Sequence, residues 1–254
     1  MIEFTEDDFL GGRLKIRQPS NGYRAGADPV FLAAAVPAKP GETVLELGCG
    51  SGVAMACLLS RVERAEVTGI ERDPVSARLA ESNLSRANLR GNVLEADITK
   101  LTAEFKEINF DHVMCNPPFF DRNSGSAAPQ PSREAGRGEE TPLALWLDVA
   151  IRRAKPRGTL TLIYRSERLP ELLTAIDRRI GDITVLPLAP RQGRAAKLII
   201  LQARKGAKGS FRLLPPFVLH KGDRHLTDAD SYTKEAQLIL RDGHPFSETA
   251  LSRT

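Results

Sequence analysis

The sequence TVLELGCGSGVAMACLL, residues 43–59, decides the fold that we predict for this chain. It begins with a β-rich run, Thr43–Leu47, continues through three closely spaced glycines and ends in an apolar helical pattern. Glycine lets the backbone turn sharply and approach a ligand, and the first helical turn offers free N–H groups. This order is typical of nucleotide-binding α/β folds. GCGSG is not the complete GxGxxG fingerprint, however, and glycine turns also join strands to helices without binding a ligand.

Acidic residues follow the next two predicted strands. Residues 66–70 form a strand that leads into Glu71, about twenty residues past the glycine turn, where nucleotide-binding folds place an acid on the ribose hydroxyls. Residues 92–96 form a strand that leads into Asp97. Each acid can also simply cap the turn that follows it. Because open α/β sheets bind ligands beyond the carboxyl ends of their strands, we favour a shared ligand crevice.

The fourth predicted strand ends in FDHVMCNPPFF, residues 110–120. The predicted buried strand, Val113–Cys115, stops before two prolines, because proline cannot donate to a sheet ladder. The Asn116 side chain and the Pro117 carbonyl are left at a strand end as hydrogen-bond acceptors, with aromatic rings beside them. A planar molecule that carries an amino group suits such a place.

The rest of the chain continues the alternation of strands and helices. Asp28 and Pro29 are expected as N-cap and first residue of a short helix that lies over the edge of the main fold. Residues 121–140 contain no Val, Leu, Ile or Met, which predicts a mobile loop. Helices are expected near 143–154, 170–180 and 233–241, and strands near 159–164, 183–186 and 197–203.

A basic run locates the positive excess of the chain, whose formal net charge is +4 and whose pI is about 9.1. Between residues 191 and 208 there is no acid. The run suits contacts to phosphates, but a solvated hairpin explains it equally well. Its basic residues are Arg191, Arg194, Lys197, Arg204, Lys205 and Lys208.

Composition excludes several classes of protein. The three cysteines have no paired spacing and form no ligand pattern with the four histidines, so we expect neither a disulfide framework nor a metal site. The first residues lack a basic start, and no apolar run is long enough to span a bilayer, so we expect a cytoplasmic protein without membrane partners. We expect a single domain over residues 1–254, with an N-terminal segment (1–40), a core (41–205) and a C-terminal extension (206–254).

The motifs ELGCGSG, GIERD and NPPFF, in this order and spacing, resemble the Rossmann-type S-adenosylmethionine-dependent methyltransferases that carry an Asn-Pro-Pro-aromatic motif. NGYRAGADPVFLAA and SYTKEAQLIL resemble more closely the bacterial tRNA(Val) adenine-N6 methyltransferase family, over nearly the whole chain. The resemblance implies a doubly wound α/β fold, a mostly parallel seven-stranded sheet with its last strand antiparallel, an N-terminal helix and a C-terminal extension. It also implies S-adenosyl-L-methionine as cofactor, S-adenosyl-L-homocysteine as product and tRNA as partner.

The same resemblance implies roles for individual residues. The cofactor would be bound by Asp28, Glu46, Leu47, Gly48, Cys49, Gly50, Gly52, Glu71, Arg72, Asp97, Ile98 and Asn116. The catalytic residues would be Asn116, Pro117, Pro118 and Phe119, the last as a stacking ring. Contacts to RNA are expected instead from the basic run, which matches no fixed pattern of the family, and from the turn before Asp28; the residues are Tyr23, Arg24, Arg191, Arg194 and Lys197.

The hypothesis is therefore methylation of the exocyclic N6 amine of an adenine in tRNA. A guanine amine in rRNA or a protein glutamine amide stays open as acceptor, since the same motif serves those groups. Two alternatives come from other classes. A nicotinamide-dependent oxidoreductase would need the complete glycine fingerprint and a Tyr-Lys pair, and a non-catalytic RNA-binding protein would use the basic run. Monomer and homodimer are both open.

Overall fold

A nine-stranded sheet forms the centre of the molecule. The computed structural model describes residues 3–21, 24–118, 141–222, 231–247 and 251. The strands outside this sheet are β1 (Phe4–Phe9) and β2 (Leu14–Pro19). Those within it are β3 (Thr43–Leu47), β4 (Glu66–Glu71), β5 (Gly91–Glu95), β6 (Phe110–Cys115), β7 (Ala154–Arg165), β8 (Ile180–Arg191), β9 (Leu198–Lys205), β10 (Arg212–Leu213) and β11 (Phe217–His220).

Seven of these strands make the predicted doubly wound sheet. Their order is β5-β4-β3-β6-β7-β9-β8, and β9 runs antiparallel to both of its neighbours while the other six are parallel. The short strands β10 and β11, which were not predicted as part of the sheet, pair with the outer side of β8. Because the strand order reverses between β3 and β6, a crevice opens at their carboxyl ends, where sheets of this kind bind ligands.

Helices cover both faces of the sheet. They are α1 (Asp28–Ala35), α2 (Val53–Arg61), α3 (Pro74–Arg86), α4 (Ala103–Glu107), α5 (Leu143–Arg153), α6 (Leu169–Ala175) and α7 (Lys234–Leu240). Side chains alternate across β3, so Val44 packs with α1 and α2 while Leu45 and Leu47 pack with α5. None of the helices in the described part of the chain is long and apolar enough to cross a membrane.

An N-terminal β-hairpin was missed by the sequence analysis, which placed only a helix in residues 1–40. Strands β1 and β2 pair antiparallel, and Leu14, Ile16 and Gln18 point inward from β2. The alternation of apolar and polar residues in β2 is short. The sequence of β1, FTEDDF, is so acidic that it does not indicate a strand. The hairpin is held by α3, because the buried Asn83 exchanges hydrogen bonds with both backbone groups of Arg17.

Two helix predictions are corrected. Helix α1 has Ala27 as its N-cap, with Asp28 its first residue, and it lies on the sheet face against α2 and β7 rather than over the edge. Its apolar residues are buried all round. The helix predicted over 170–180 ends at Ala175, because Ile180 already pairs with Lys205 at the start of β8.

Candidate functional site

The glycine turn and the Asn-Pro-Pro motif leave the sheet side by side. Leu47, the last residue of β3, pairs with Cys115, the last residue of β6. Gly48 and Asn116 therefore begin their turns from neighbouring strands, whose spacing is about 5 Å. Glu71 ends β4 on the other side of β3. Three of the residues predicted for one crevice thus lie along the same stretch of the sheet edge.

Glu71 is held by backbone donors at the glycine turn. Its Oε2 accepts from the amide of Gly50 at 2.8 Å, and its Oε1 accepts from the amide of Asp73 at 2.9 Å. The turn is also tied to β4, since the amide of Gly48 donates to the Ile70 carbonyl at 2.8 Å. Each carboxylate oxygen can accept a further hydrogen bond, so Glu71 is oriented and still able to receive hydroxyl donors.

Gly48 faces a tryptophan, Trp146, that the sequence analysis did not connect with the site. The φ angle of Gly48 is +68°, and a Cβ atom at position 48 would lie 2.7 Å from Cη2 of Trp146 on α5. Trp146 is 9% exposed, and its Nε1 has no hydrogen-bond partner in the residues that the structure describes. The ring of Trp146 therefore supports the glycine turn from the α5 side of the sheet.

A buried carboxyl group, that of Glu46, and a half-buried one, that of Asp28, lie on the opposite face, where α1 and α2 pack. Burial raises the pKa of Glu46 well above its usual value, although the Met55 amide lowers it. Its Oε2 is buried and has no hydrogen-bond partner among the described residues. Burial also raises the pKa of Asp28, at the start of α1, while the nearby Arg165 lowers it. Buried carboxyls of this kind favour a positively charged ligand.

Asp97 lies just after β5, at one end of the candidate site. Its Oδ1 accepts from the amide of Thr99 at 2.8 Å and from the hydroxyl at 2.7 Å, so Asp97 does cap the 3₁₀ turn Ile98–Lys100. These bonds lower the pKa of Asp97, and Arg72 contributes in the same direction. Its Oδ2 makes no hydrogen bond within the described residues, so the cap leaves one oxygen available. Ile98 is buried and Arg72 exposed.

The other predicted site residues have supporting positions. Leu47 and Pro117 are buried, Pro118 and Asn116 are half-buried, and Gly52 is the N-cap of α2. The thiol of Cys49 is buried too, and burial raises its pKa well above the usual value. A thiol in that state is a poor nucleophile, so Cys49 packs the turn.

The basic run divides between the two edges of the sheet. Arg194 and Lys197 are exposed in the turn between β8 and β9, which lies at the carboxyl edge together with Asn116. Arg191 begins this turn and donates to the carbonyls of Lys221 and Gly222.

The second half of the run lies at the far edge. Nε of Arg204 donates to the Arg157 carbonyl at 3.3 Å, and Nζ of Lys205 donates to the Ala154 carbonyl at 2.7 Å. These two side chains therefore hold the amino end of β7. Only the first half of the run lies at the edge that carries the predicted site.

Some predicted residues lie elsewhere. Tyr23, Phe119 and residues 121–140 fall outside the described residues. Arg24 forms an ion pair with Asp7 of β1.

Arg165, beside Asp28, was missed, although its position at the carboxyl end of β7 is the same signal that identified Glu71 and Asp97.

Comparisons with known proteins identify methyltransferases as relatives of this chain. A family model described as methyltransferase small domain matches residues 26–129. The tRNA1(Val) (adenine(37)-N6)-methyltransferase of Porphyromonas gingivalis is 30% identical over 199 residues, which cover 71% of this chain and 76% of that protein. The protein of the same name from Haemophilus influenzae is 27% identical over 170 residues, covering 66% of this chain and 70% of the relative.

Solved structures share the fold. A predicted O-methyltransferase from Agrobacterium tumefaciens has a TM-score of 0.69 and 25% identity, with 86% of this chain and 97% of that chain covered. A 16S rRNA methyltransferase from Thermus thermophilus, in complex with AdoMet and guanosine, has a TM-score of 0.55 and 22% identity, with 81% and 51% covered. With the Porphyromonas relative covered over three quarters of its length, the chain belongs to the family of tRNA1(Val) (adenine(37)-N6)-methyltransferases.

Proposed function

We propose that this protein is an S-adenosyl-L-methionine-dependent N-methyltransferase that methylates the exocyclic N6 amine of an adenine in tRNA. The observation that carries the proposal is the placement of Asn116 and Pro117 directly beside the glycine turn at the reversal point of the sheet. Family membership supports the acceptor. We propose one methyltransferase domain over residues 1–254 and a cytoplasmic location, where tRNA is found.

The cofactor-binding residues suit a ligand with positive charge and vicinal hydroxyls. Glu46 has a buried oxygen without a partner among the described residues, and the half-buried Asp28 lies on the same face, so a sulfonium or ammonium group would offset the cost of removing these carboxyls from water. Glu71 would accept from the ribose hydroxyls and Asp97 from the adenine amine, as the resemblance implies. When bound, S-adenosyl-L-methionine supplies the electrophilic methyl group, and S-adenosyl-L-homocysteine is the product.

Asn116 and Pro117 would position the acceptor. An exocyclic amine is a weak nucleophile, because its lone pair is delocalised into the ring. The side-chain oxygen of Asn116 and the carbonyl of Pro117 would each accept one amine hydrogen and so hold the nitrogen with its lone pair facing the methyl group. Catalysis would then come from positioning rather than from a strong base. Phe119 would stack on the target base, which adds about 1–3 kcal/mol per base.

Methyl transfer to tRNA tests the proposal directly. Purified protein is incubated with labelled S-adenosyl-L-methionine and total RNA from a strain lacking the gene, and modified nucleosides are identified by mass spectrometry. We expect label on N6-methyladenosine in tRNA. Label on a guanine amine or on a protein instead of tRNA would overturn the acceptor, and binding of NAD without binding of S-adenosyl-L-methionine would overturn the reaction class.

Asn116→Ala tests the role of the amide. We expect kcat to fall by about 100-fold or more, as when one positioned hydrogen-bond partner is lost at a reacting group, with cofactor affinity nearly unchanged. The control is Asn109→Ala, an exposed asparagine just before β6 at the opposite edge of the sheet. Equal kcat in the two variants would remove Asn116 from the mechanism.

The basic turn at the carboxyl edge is the proposed RNA contact. Arg194 and Lys197 are exposed there and lie at the same edge as Asn116, and the sequence also predicts RNA contacts at Arg191, Tyr23 and Arg24. The double variant Arg194→Glu, Lys197→Glu should raise KM for tRNA at least tenfold. Lys208→Glu, which adds a negative charge to the same run at the far edge, should leave KM within about twofold. Similar KM changes in both variants would contradict this placement.

A further inference from the structure

A stacked aromatic pair lies at the carboxyl edge, beyond the basic turn. The rings of His220 and Tyr232 have centroids 4.6 Å apart and planes inclined by 20°. Both side chains are half-exposed, so part of the stack is open to solvent. Neither residue has a role in the cofactor site or in holding the amine, and histidine and tyrosine rings are among those on which unstacked RNA bases stack.

Backbone contacts fix this pair in place. The chain at Ser231 returns beside β11, where the amide of Lys221 donates to the Ser231 carbonyl at 2.8 Å and the amide of Thr233 donates to the Leu219 carbonyl at 2.8 Å. His220 Nδ1 lies 3.0 Å from the Ser231 hydroxyl oxygen. The two rings are therefore carried by paired backbone rather than by an open loop.

The pair is on the same edge of the sheet as Asn116. His220 is in register with Arg191 at the carboxyl end of β8. Between β6 and β11 lie β7, β9 and β8, so the two sites are four strand spacings apart, or about 19 Å. Several nucleotides of a single strand can span that distance, and one base cannot reach both sites.

Unpaired cations lie beside the stack and between it and the site. Lys221 follows His220 directly, and Arg194 and Lys197 lie in the adjacent turn. All three are exposed, and within the described residues none forms an ion pair. The Arg191 guanidinium joins this turn to the aromatic pair by donating to the Lys221 carbonyl. Aromatic rings with flanking cations are the combination that binds single-stranded nucleic acid.

We propose that His220 and Tyr232 form a second stacking subsite, for an unpaired base on the RNA strand that carries the methylated adenine. The phosphates between that base and the target would follow Lys221, Lys197 and Arg194. This inference rests on the proposed function, because it assigns a second contact to the same RNA. It predicts that substrate selection depends on an unpaired nucleotide several positions from the target.

Leucine and phenylalanine variants separate stacking from packing. His220→Leu and Tyr232→Leu keep apolar bulk and remove the flat ring, whereas His220→Phe and Tyr232→Phe keep a ring. We expect each leucine variant to raise KM for tRNA roughly tenfold, as for the loss of one stacked base, with kcat and cofactor affinity unchanged. Each phenylalanine variant should keep KM near the wild-type value, because a ring is still present. Thermal unfolding of all four variants controls for damage to the fold.

Fluorescence then locates the subsite on the RNA. Single unpaired positions of the substrate are replaced in turn by 2-aminopurine, whose emission is quenched on stacking. We expect one position away from the target to be quenched by wild-type protein and by the phenylalanine variants, and to stay bright with the leucine variants. No label transfer to any RNA by wild-type protein would remove the proposed function itself. Full tRNA methylation with unchanged KM in both leucine variants would overturn only the stacking subsite.

Discussion

Glu46 is a carboxyl group buried inside the sheet beside apolar neighbours. Its pKa is raised above the usual value of 4.5, chiefly by burial. The folded state therefore favours the neutral form of Glu46. The contribution of this group to the free energy of unfolding is fully present below about pH 4.5 and is lost as the pH rises toward its folded-state pKa. At neutral pH the protein without cofactor is thus less stable than it would be with a neutral group at this position.

Glu46→Gln should raise the Tm of the cofactor-free protein at pH 7 and flatten the dependence of Tm on pH above 4.5, the usual pKa of the group, because glutamine has no proton to lose. The same variant should weaken binding of S-adenosyl-L-methionine, since the negative charge is gone. Scanning calorimetry across pH and titration calorimetry measure the two effects. A variant that is less stable yet binds the cofactor normally would show that Glu46 has a packing role instead.

Gly48 and Gly50 provide a matched pair of backbone positions. Both have positive φ, but an added methyl group meets Trp146 at position 48 and open space at position 50. Gly50→Ala should cost about 1–2 kcal/mol of unfolding free energy, and Gly48→Ala should cost more and weaken cofactor binding further. Chemical denaturation measures the difference. Trp146→Phe, which lacks the clashing Cη2 atom, should recover part of the loss at Gly48→Ala and none at Gly50→Ala.

At the scale of elements, α3 joins the N-terminal hairpin to the glycine turn. The side chain of Asn83 is fully buried, and its amide donates to the carbonyls of Arg17 and Ser51, both at 2.9 Å. Asn83→Ala would remove the side-chain partner of the buried Ser51 carbonyl and of both backbone groups of Arg17, and it should reduce the unfolding free energy by about 2–3 kcal/mol. Ser85→Ala, an exposed change on the same helix, is the control. Equal denaturation midpoints would mean that the hairpin is held by its apolar side chains alone.

The elements that the sequence predicted well are those with a strong local signal. Strands β3, β4 and β6 are short apolar runs that end in glycine, acid or proline. The ranges of β3 and β4 match closely, and β6 ends at Cys115 as predicted but begins at Phe110, three residues before the predicted Val113. The β1–β2 hairpin could not be predicted in this way, because its stability comes from Asn83, which is more than 60 residues away. Likewise, no local pattern shows that Ile180 pairs with β9 instead of extending a helix.

The site was predictable where one rule applied to several strands. Residues at the carboxyl ends of β3, β4, β5 and β6 were identified and lie together along one edge. Trp146 was not, because its contact with Gly48 joins a helix after residue 140 to a turn nearly 100 residues earlier. The division of the basic run between two edges also depends on strand pairing, which composition does not contain.

For the whole molecule, binding of tRNA should depend more on where the positive charges lie than on the net charge of +4. Arg194, Lys197 and Lys221, which form no ion pair within the described residues, lie at the carboxyl edge, so KM for tRNA should rise steeply with salt while cofactor affinity changes little. Steady-state kinetics between about 50 and 300 mM salt give the slope of log KM against log salt concentration. Arg194→Glu should reduce its magnitude by about 1, as for one lost phosphate contact. A slope unchanged in this variant would exclude the contact.

The N-terminal hairpin also meets α7, and this contact affects the order of folding. Nη2 of Arg13 donates to the Arg241 carbonyl at 3.3 Å, across 228 positions of chain. Contacts of such large sequence separation are slow to form, because closing a long loop costs entropy before any contact compensates for it. The hairpin and α7 should therefore join the core late and open together from the native state. Their amides should exchange hydrogen at one common rate, faster than those of β3 and β6.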